Sequence, residues 1–209
     1  MLRRRPRPRV LAELPAPRRA QGRAGSLNRS ELEAFEGLRR AIGDARVVLA
    51  TGEESSRVAF GLATVVGASG RRAALLECDL TSPAFAATLG LAAAPGLREY
   101  LRGEAEARQI LQPVALAGPG SAAAAPLVCV TAGAASVDAA ALLGSEHFRH
   151  AVAKLRSAYD LVVLDGPPPG EGQALKAVAS QADATLACLP RSARLDGLPA
   201  PVSGLVLSG

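Results

Sequence analysis

The sequence predicts an α/β fold in which helices cover both faces of a doubly wound, mostly parallel sheet. Short apolar segments recur along the chain without alternation of polar and apolar residues, which is typical of strands buried on both faces. Segments with helical spacing of apolar residues separate these strands, as parallel pairing requires. The length of 209 residues and the hydrophobic content of 49% are sufficient for one domain with its own core.

The first predicted element of the domain is a helix over about residues 30–42. Asn28 or Ser30 can cap it, and Glu31 and Glu33 lie in its first turn, where the helix dipole favours acidic side chains. Its apolar positions follow helical spacing: Leu32, Phe35, Leu38 and Ile42.

Strands and helices then alternate to the end of the sequence. Strands are predicted over residues 47–50, 73–77, 127–130, 161–164, 184–189 and 202–207. Further helices are predicted over about 55–68, 82–89, 96–102, 145–157 and 171–181. Residues 118–126, which are rich in Ala, Gly and Pro, are predicted to form a flexible connection.

The charge of the chain divides it into two parts. Residues 1–30 hold nine arginines and one acidic residue, Glu13, so they carry +8; since the whole chain has a net charge of +5, the remainder carries −3. We therefore predict a basic, Pro- and Arg-rich, disordered tail over residues 1–27, with one short extended piece at residues 11–15, and a domain over 28–209. The tail suits contact with an anionic membrane, whereas a domain without basic excess argues against nucleic-acid binding.

Other classes of site have little support in the sequence. Cys78, Cys129 and Cys188 each lie in a predicted strand and form no C-x-x-C pair, so buried free thiols are expected in a cytoplasmic protein. Residues 109–137 carry no charge, but their prolines and glycines exclude a membrane span. His147 and His150 are expected to be surface residues, because no further metal ligand lies near them in the sequence.

The chemistry-bearing segment of the sequence is the turn at residues 52–57, between a predicted strand and a predicted helix. A phosphate-binding P-loop has the pattern G-x-x-x-x-G-K-[ST] at such a turn. Here Glu54 and Ser55 stand where Gly and Lys are expected, and Ser56 follows. A second strand ends in Asp165, as a Walker B strand does. Taken alone, residues 52–56 do not match a P-loop, and an ordinary strand-to-helix turn with a serine cap is the favoured interpretation.

The wider chain resembles the cytoplasmic domain of the bacterial tyrosine kinases (the CpsD, CapB and Wzc type), within the deviant-Walker P-loop group that also contains MinD and ParA. Seven segments carry the resemblance in order: residues 33–39 (EAFEGLR), 52–56 (GEESS), 75–80 (LLECDL), 95–104 (PGLREYLRGE), 142–148 (LLGSEHF), 159–168 (YDLVVLDGPP) and 202–209 (VSGLVLSG). The resemblance implies a three-layer P-loop NTPase fold over about residues 29–209.

The resemblance also implies roles for individual residues. Asp79 and Asp165 are the implied catalytic acids, and together with Ser56 they are the implied Mg²⁺ ligands. The implied nucleotide-binding residues lie in the turn: Gly52, Glu53, Ser55, Ser56 and Arg57. The sequence departs from the family pattern at Glu54, at Ser55 and at Glu77, which replaces the first acid of the Walker A′ segment. We therefore expect either no cofactor or weakly bound Mg-ATP.

Three functions are compatible with the resemblance. The first is a degenerate, regulatory or scaffold partner of a membrane-anchored polysaccharide co-polymerase, at the inner face of the plasma membrane, in capsular or exopolysaccharide chain-length control. The second is an active ATP-dependent tyrosine autokinase of the same pathway, and the third is a MinD- or ParA-like positioning ATPase. The helix with Glu33 and Arg39 resembles a subunit interface of the family, although Glu36 replaces an arginine there.

Overall fold

The computed structural model describes residues 9–16, 27–116, 127–192 and 202–209. Its centre is an eight-stranded sheet with the order β1-β8-β7-β2-β6-β3-β5-β4, and every neighbouring pair is parallel except β4 with β5. The strands are β1 (Val10–Leu14), β2 (Val47–Thr51), β3 (Ala73–Glu77), β4 (Gln112–Val114), β5 (Leu127–Val130), β6 (Leu161–Asp165), β7 (Ala184–Pro190) and β8 (Gly204–Ser208). The predicted doubly wound, mostly parallel α/β fold is confirmed.

Eight helices are found in the described part of the chain. They are α1 (Arg29–Ala41), α2 (Ser55–Ala68), α3 (Phe85–Leu89), α4 (Leu97–Leu101), α5 (Ala107–Ile110), α6 (Ala139–Leu143), α7 (Glu146–Ala158) and α8 (Gly172–Ala179). Asn28 caps α1 in a reciprocal capping box with Glu31, and Ser145 caps α7 through the backbone N–H of Phe148. The sequence did not predict α5, α6 or β4, because each is five residues or shorter and shows no periodicity.

The N-terminal segment contributes a strand to the sheet. β1 pairs in parallel with β8, Leu14 is buried, and the backbone N–H of Gly209 donates to the carbonyl oxygen of Leu14. The short extended piece predicted at residues 11–15 is this strand, so the predicted tail over 1–27 contains part of the domain. Ladder hydrogen bonds and the burial of Leu14 hold it there. The rest of that tail and the predicted connection at 118–126 lie almost entirely outside the described residues.

Two apolar layers sandwich the sheet. Helices α1 and α2 cover one face, where the ring of Phe35 lies against Gly61 so closely that a Cβ there would overlap it. Helices α4 to α8 cover the other face around Phe148. The three cysteines are buried and unpaired, as predicted. Among the helices of the described residues, none combines the length and hydrophobicity that crossing a bilayer requires.

Candidate nucleotide site

The candidate site lies at the carboxyl ends of the central strands. β2 sits between β7 and β6, and β3 lies beyond β6, so Thr51, Asp165 and Glu77 end three strands at one edge of the sheet. Ligands of open parallel sheets bind at this edge. The helix α2 begins here, and its free backbone N–H groups make its N-terminus the natural place for an anion.

The turn that leads into α2 is short. Three residues, 52–54, join β2 to α2, and the backbone N–H of Ser55 donates to the carbonyl oxygen of Gly52 at 3.1 Å. Glu54 is the N-cap residue, and its side chain makes no capping hydrogen bond. A P-loop needs a longer arc of backbone to surround a phosphate group, with its N–H groups directed inward. In this turn, the N–H of Ser55 is already used within the turn itself.

The neighbouring strand leaves the turn no room to widen. Gly52 has a φ of 114°, and a Cβ at this position would lie 2.3 Å from the carbonyl oxygen of Cys188 in β7. Glycine is therefore required for two reasons: the backbone conformation and the close approach of β7.

Replacing Gly52 with alanine should lower the free energy of unfolding by roughly 2–4 kcal/mol, because the new methyl group must displace buried backbone. Gly43 is the matched control: it also has a positive φ, of 60°, but a Cβ there would have no neighbour within 4 Å. Urea denaturation of both variants checks this, and Gly52→Ala should be the more destabilised by at least about 1 kcal/mol. Equal destabilisation would mean that contact with Cys188 is unimportant.

Asp165 and Ser56 form a buried pair at this edge. The hydroxyl of Ser56 donates to Asp165 Oδ2 at 2.7 Å, and Asp165 is 2% exposed. Within the described residues, Asp165 Oδ1 has no hydrogen-bond partner. Burial raises the pKa of Asp165 to about 7, and the nearby carboxylates of Glu77 and Asp79 add to this, while the hydrogen bond from Ser56 opposes it.

Glu77 is buried and accepts hydrogen bonds from the backbone of two surrounding loops. Its Oε1 accepts from the backbone N–H groups of Ala84 and Phe85, and its Oε2 accepts from that of Ala132 at 2.8 Å. One carboxylate therefore joins the start of α3 to the loop after β5. In the sequence, Glu77 is recognisable only as a departure from the Walker A′ pattern, and nothing there identifies its hydrogen-bond partners.

Asp79 is engaged in a local turn. Its Oδ1 accepts from the backbone N–H groups of Thr81 and Ser82 and from the hydroxyl of Thr81 at 2.8 Å. The same hydroxyl also lies 2.5 Å from Glu171 Oε1, at the start of α8. Asp79 is half-buried.

Arg57 is directed toward the N-terminal strand. Its guanidinium donates to the carbonyl oxygen of Pro15 at 2.6 Å and to Glu31 Oε1 at 2.9 Å, and it lies 3.7 Å from Glu54. The side chain is 19% exposed. These contacts connect β1 and α1 to the beginning of α2. They also engage the guanidinium of Arg57, the cationic group closest in sequence to the position where a P-loop has its lysine. Glu53 adds a second acidic side chain to the turn.

Comparison with known proteins supports a resemblance to the bacterial tyrosine kinases. No protein-family model matches the chain. The tyrosine-protein kinase Wzc of Salmonella typhi is 29% identical to it over 147 residues, which cover 66% of this chain and 19% of that protein. The resemblance to the bacterial tyrosine kinases is confirmed. This kinase-like chain spans about a fifth of the length of that curated relative.

Solved structures share its fold. The kinase domain of the Escherichia coli tyrosine kinase ETK superposes with a TM-score of 0.79 at 19% identity, covering 97% of this chain and 90% of that chain. The septum site-determining protein MinD of Pyrococcus horikoshii, solved with Mg-ADP, has a TM-score of 0.56 at 16% identity, covering 69% and 58% of the two chains. At these identities the superpositions establish the kinase-like P-loop architecture of the chain, not its activity.

The residues of this kinase-like domain fit the two parts of Mg-ATP unequally. Asp165 has a buried oxygen, Oδ1, that accepts no hydrogen bond from the part of the chain that the structure describes. With the Ser56 hydroxyl beside it, this carboxylate offers the oxygen ligands that a divalent cation prefers. The phosphate groups of Mg-ATP fit this site poorly, because the turn between β2 and α2 is short and ends in Glu54. No lysine follows β2 either: the two lysines of the chain, Lys154 and Lys176, lie on α7 and α8. The structure thus brings Ser56 and Asp165 together and engages Arg57 elsewhere.

Proposed function

We propose that this chain is a degenerate bacterial tyrosine kinase-like domain that acts by binding rather than by phosphoryl transfer. The observation that carries the proposal is the three-residue turn between β2 and α2, which is closed by the hydrogen bond from the N–H of Ser55 to Gly52 and backed by Cys188. Glu54 would place a carboxylate close to a phosphate group. Two like charges about 4 Å apart repel by roughly 4 kcal/mol at an intermediate dielectric, and no lysine offsets this.

The proposed role is that of a regulatory or scaffold partner of a membrane-anchored polysaccharide co-polymerase in capsular or exopolysaccharide synthesis. The membrane contact is proposed for the arginine-rich N-terminal segment, because clustered arginines are attracted to anionic lipids. Homo-oligomerisation is proposed through α1. Arg39 on this helix has a buried Nε with no hydrogen-bond partner among the described residues, and burial together with the nearby Arg71 lowers its pKa. An acidic group from a neighbouring subunit would complement this position.

Calorimetric titration with Mg-ATP and Mg-ADP tests the loss of nucleotide function. We expect no saturable heat of binding, or a dissociation constant above about 1 mM, because the lysine that binds the β- and γ-phosphates in a P-loop is missing. ATP hydrolysis should equal that of a Ser56→Ala control. Micromolar affinity, or hydrolysis that is well above this control, would contradict the proposal.

A slow autokinase is the second candidate, and the preserved Ser56–Asp165 pair favours it, since that pair is the half of the site suited to Mg²⁺. Incubation of the protein with Mg-ATP, followed by mass spectrometry, distinguishes the two candidates. The chain has two tyrosines, Tyr100 and Tyr159, so any autophosphorylation on tyrosine must appear at one of them. Phosphate that appears there and is lost in Asp79→Ala would establish the kinase; its absence supports the binding role.

A further inference from the structure

A small apolar pocket opens on the α7 face of the sheet, away from α2. Its floor is formed by Leu76 of β3 and Val130 of β5, and its volume is about 200 Å³. It shares no residue with the candidate nucleotide site. An engineered cavity of about 150 Å³ is large enough for benzene, so a single aromatic ring with a small substituent fits this volume.

Three helices build the walls of this pocket. α4 contributes Leu97 and Tyr100, and α5 contributes Ile110. The wall on α7 consists of residues at helical spacing, which therefore share one face: Ala151, Lys154, Leu155 and Ala158. Tyr159, the C-cap residue of α7, also lines the pocket.

The polar groups of this pocket are unusual for this chain. Both of its tyrosines, Tyr100 and Tyr159, line the pocket, and so does Lys154, one of its two lysines. Among the described residues that line it, none is acidic. Two phenol hydroxyls and an ammonium group can all donate hydrogen bonds, and the ammonium adds a positive charge that no lining carboxylate neutralises.

We propose that this pocket binds a small aromatic monoanion, such as a benzoate, whose ring lies among the apolar side chains and whose carboxylate meets Lys154 and a tyrosine hydroxyl. The volume of the pocket limits the ligand to a single aromatic ring. Lys154, which has no acidic neighbour among the lining residues, favours a ligand with one negative charge. Charge-assisted hydrogen bonds from an ammonium group are about twice as strong as neutral ones, so the anion is favoured over a neutral analogue of the same shape. This site is independent of nucleotide binding.

Tyrosine-ring NMR tests the proposal on the full chain, because labelled tyrosine gives signals from two residues only. The probe is 4-methylbenzoate, titrated to about 10 mM, with neutral 4-methylbenzamide as the comparison. We expect both tyrosine signals to move saturably with the benzoate, and the amide to bind at least about fivefold more weakly. Tyr100→Phe and Tyr159→Phe assign the two signals.

Two variants locate the binding. Lys154→Met should weaken the benzoate at least about fivefold, whereas Lys176→Met, on the exposed side of α8, should leave it unchanged. Ala158→Phe, at the exposed end of α7, should fill the opening and abolish binding. The proposal is overturned if neither compound gives a saturable shift, or if amide and benzoate bind equally with Lys154→Met unaffected. It is also overturned if the signals move on dilution of the protein alone, which would assign the pocket to a second copy of the chain.

Discussion

Replacing Glu77 with alanine is expected to lower the free energy of unfolding by about 3–5 kcal/mol, one of the largest effects of any single substitution in this domain. The side chain is 1% exposed, and its two oxygens accept from three backbone N–H groups. Alanine would leave all three donors without a partner in a buried environment, and each such donor costs roughly 1–3 kcal/mol. It would also release the loop after β5 from the start of α3.

Urea denaturation measures this effect, with two comparisons. Glu77→Gln keeps one acceptor oxygen but turns an amide N–H₂ toward a backbone donor, so it should fall between wild type and alanine. Glu33→Ala removes an exposed glutamate that pairs with Arg29 on α1 and should change stability by less than about 0.5 kcal/mol. If Glu77→Ala were as mild as Glu33→Ala, the three hydrogen bonds would not hold these loops together.

The stability of the wild-type protein is expected to fall as the pH rises from about 4 to about 7, with Asp165 as a major cause. Burial raises the pKa of Asp165 from 3.8 to about 7, so the folded state retains a proton that the unfolded state has already lost in this range. Stability decreases with pH wherever the folded state binds more protons, by about 1.4 kcal/mol per pH unit for one group. The contribution is complete below pH 3.8 and is lost by about pH 7, on the order of 4 kcal/mol in total.

Asp165→Asn isolates this contribution, because the amide has the shape of the acid and does not ionise. At about pH 8 the variant should be more stable than wild type by up to a few kcal/mol, and the difference should shrink toward about pH 5. Asp44→Asn, in the exposed turn after α1, is the control and should not alter the pH profile. Parallel profiles for wild type and Asp165→Asn would show that the carboxyl group is not the source of the pH dependence. Mg²⁺ at about 10 mM, added at pH 8, should stabilise wild type selectively if Asp165 binds the cation.

The sequence by itself determined the class of fold and the order of its principal elements. Uninterrupted apolar strands and helical spacing are local patterns, and α2 and β3 begin and end where those patterns predict. The turn at residues 52–57 and the strand that ends in Asp165 were found in the same way, because a missing lysine is visible in a sequence. The order of these segments along the chain was enough to indicate its resemblance to the bacterial tyrosine kinases.

Only the tertiary structure determined which partners these residues contact, because the contacts join parts of the chain that are distant in sequence. β1 joins the sheet through β8, which lies at the opposite end of the chain. Arg57 is hydrogen-bonded to Pro15 and Glu31, and the backbone of Cys188 leaves no space for a side chain at Gly52. The two tyrosines meet at one pocket because α4 and α7 flank it. Composition and periodicity describe one segment at a time, whereas burial and hydrogen bonding between segments arise only when the chain has folded.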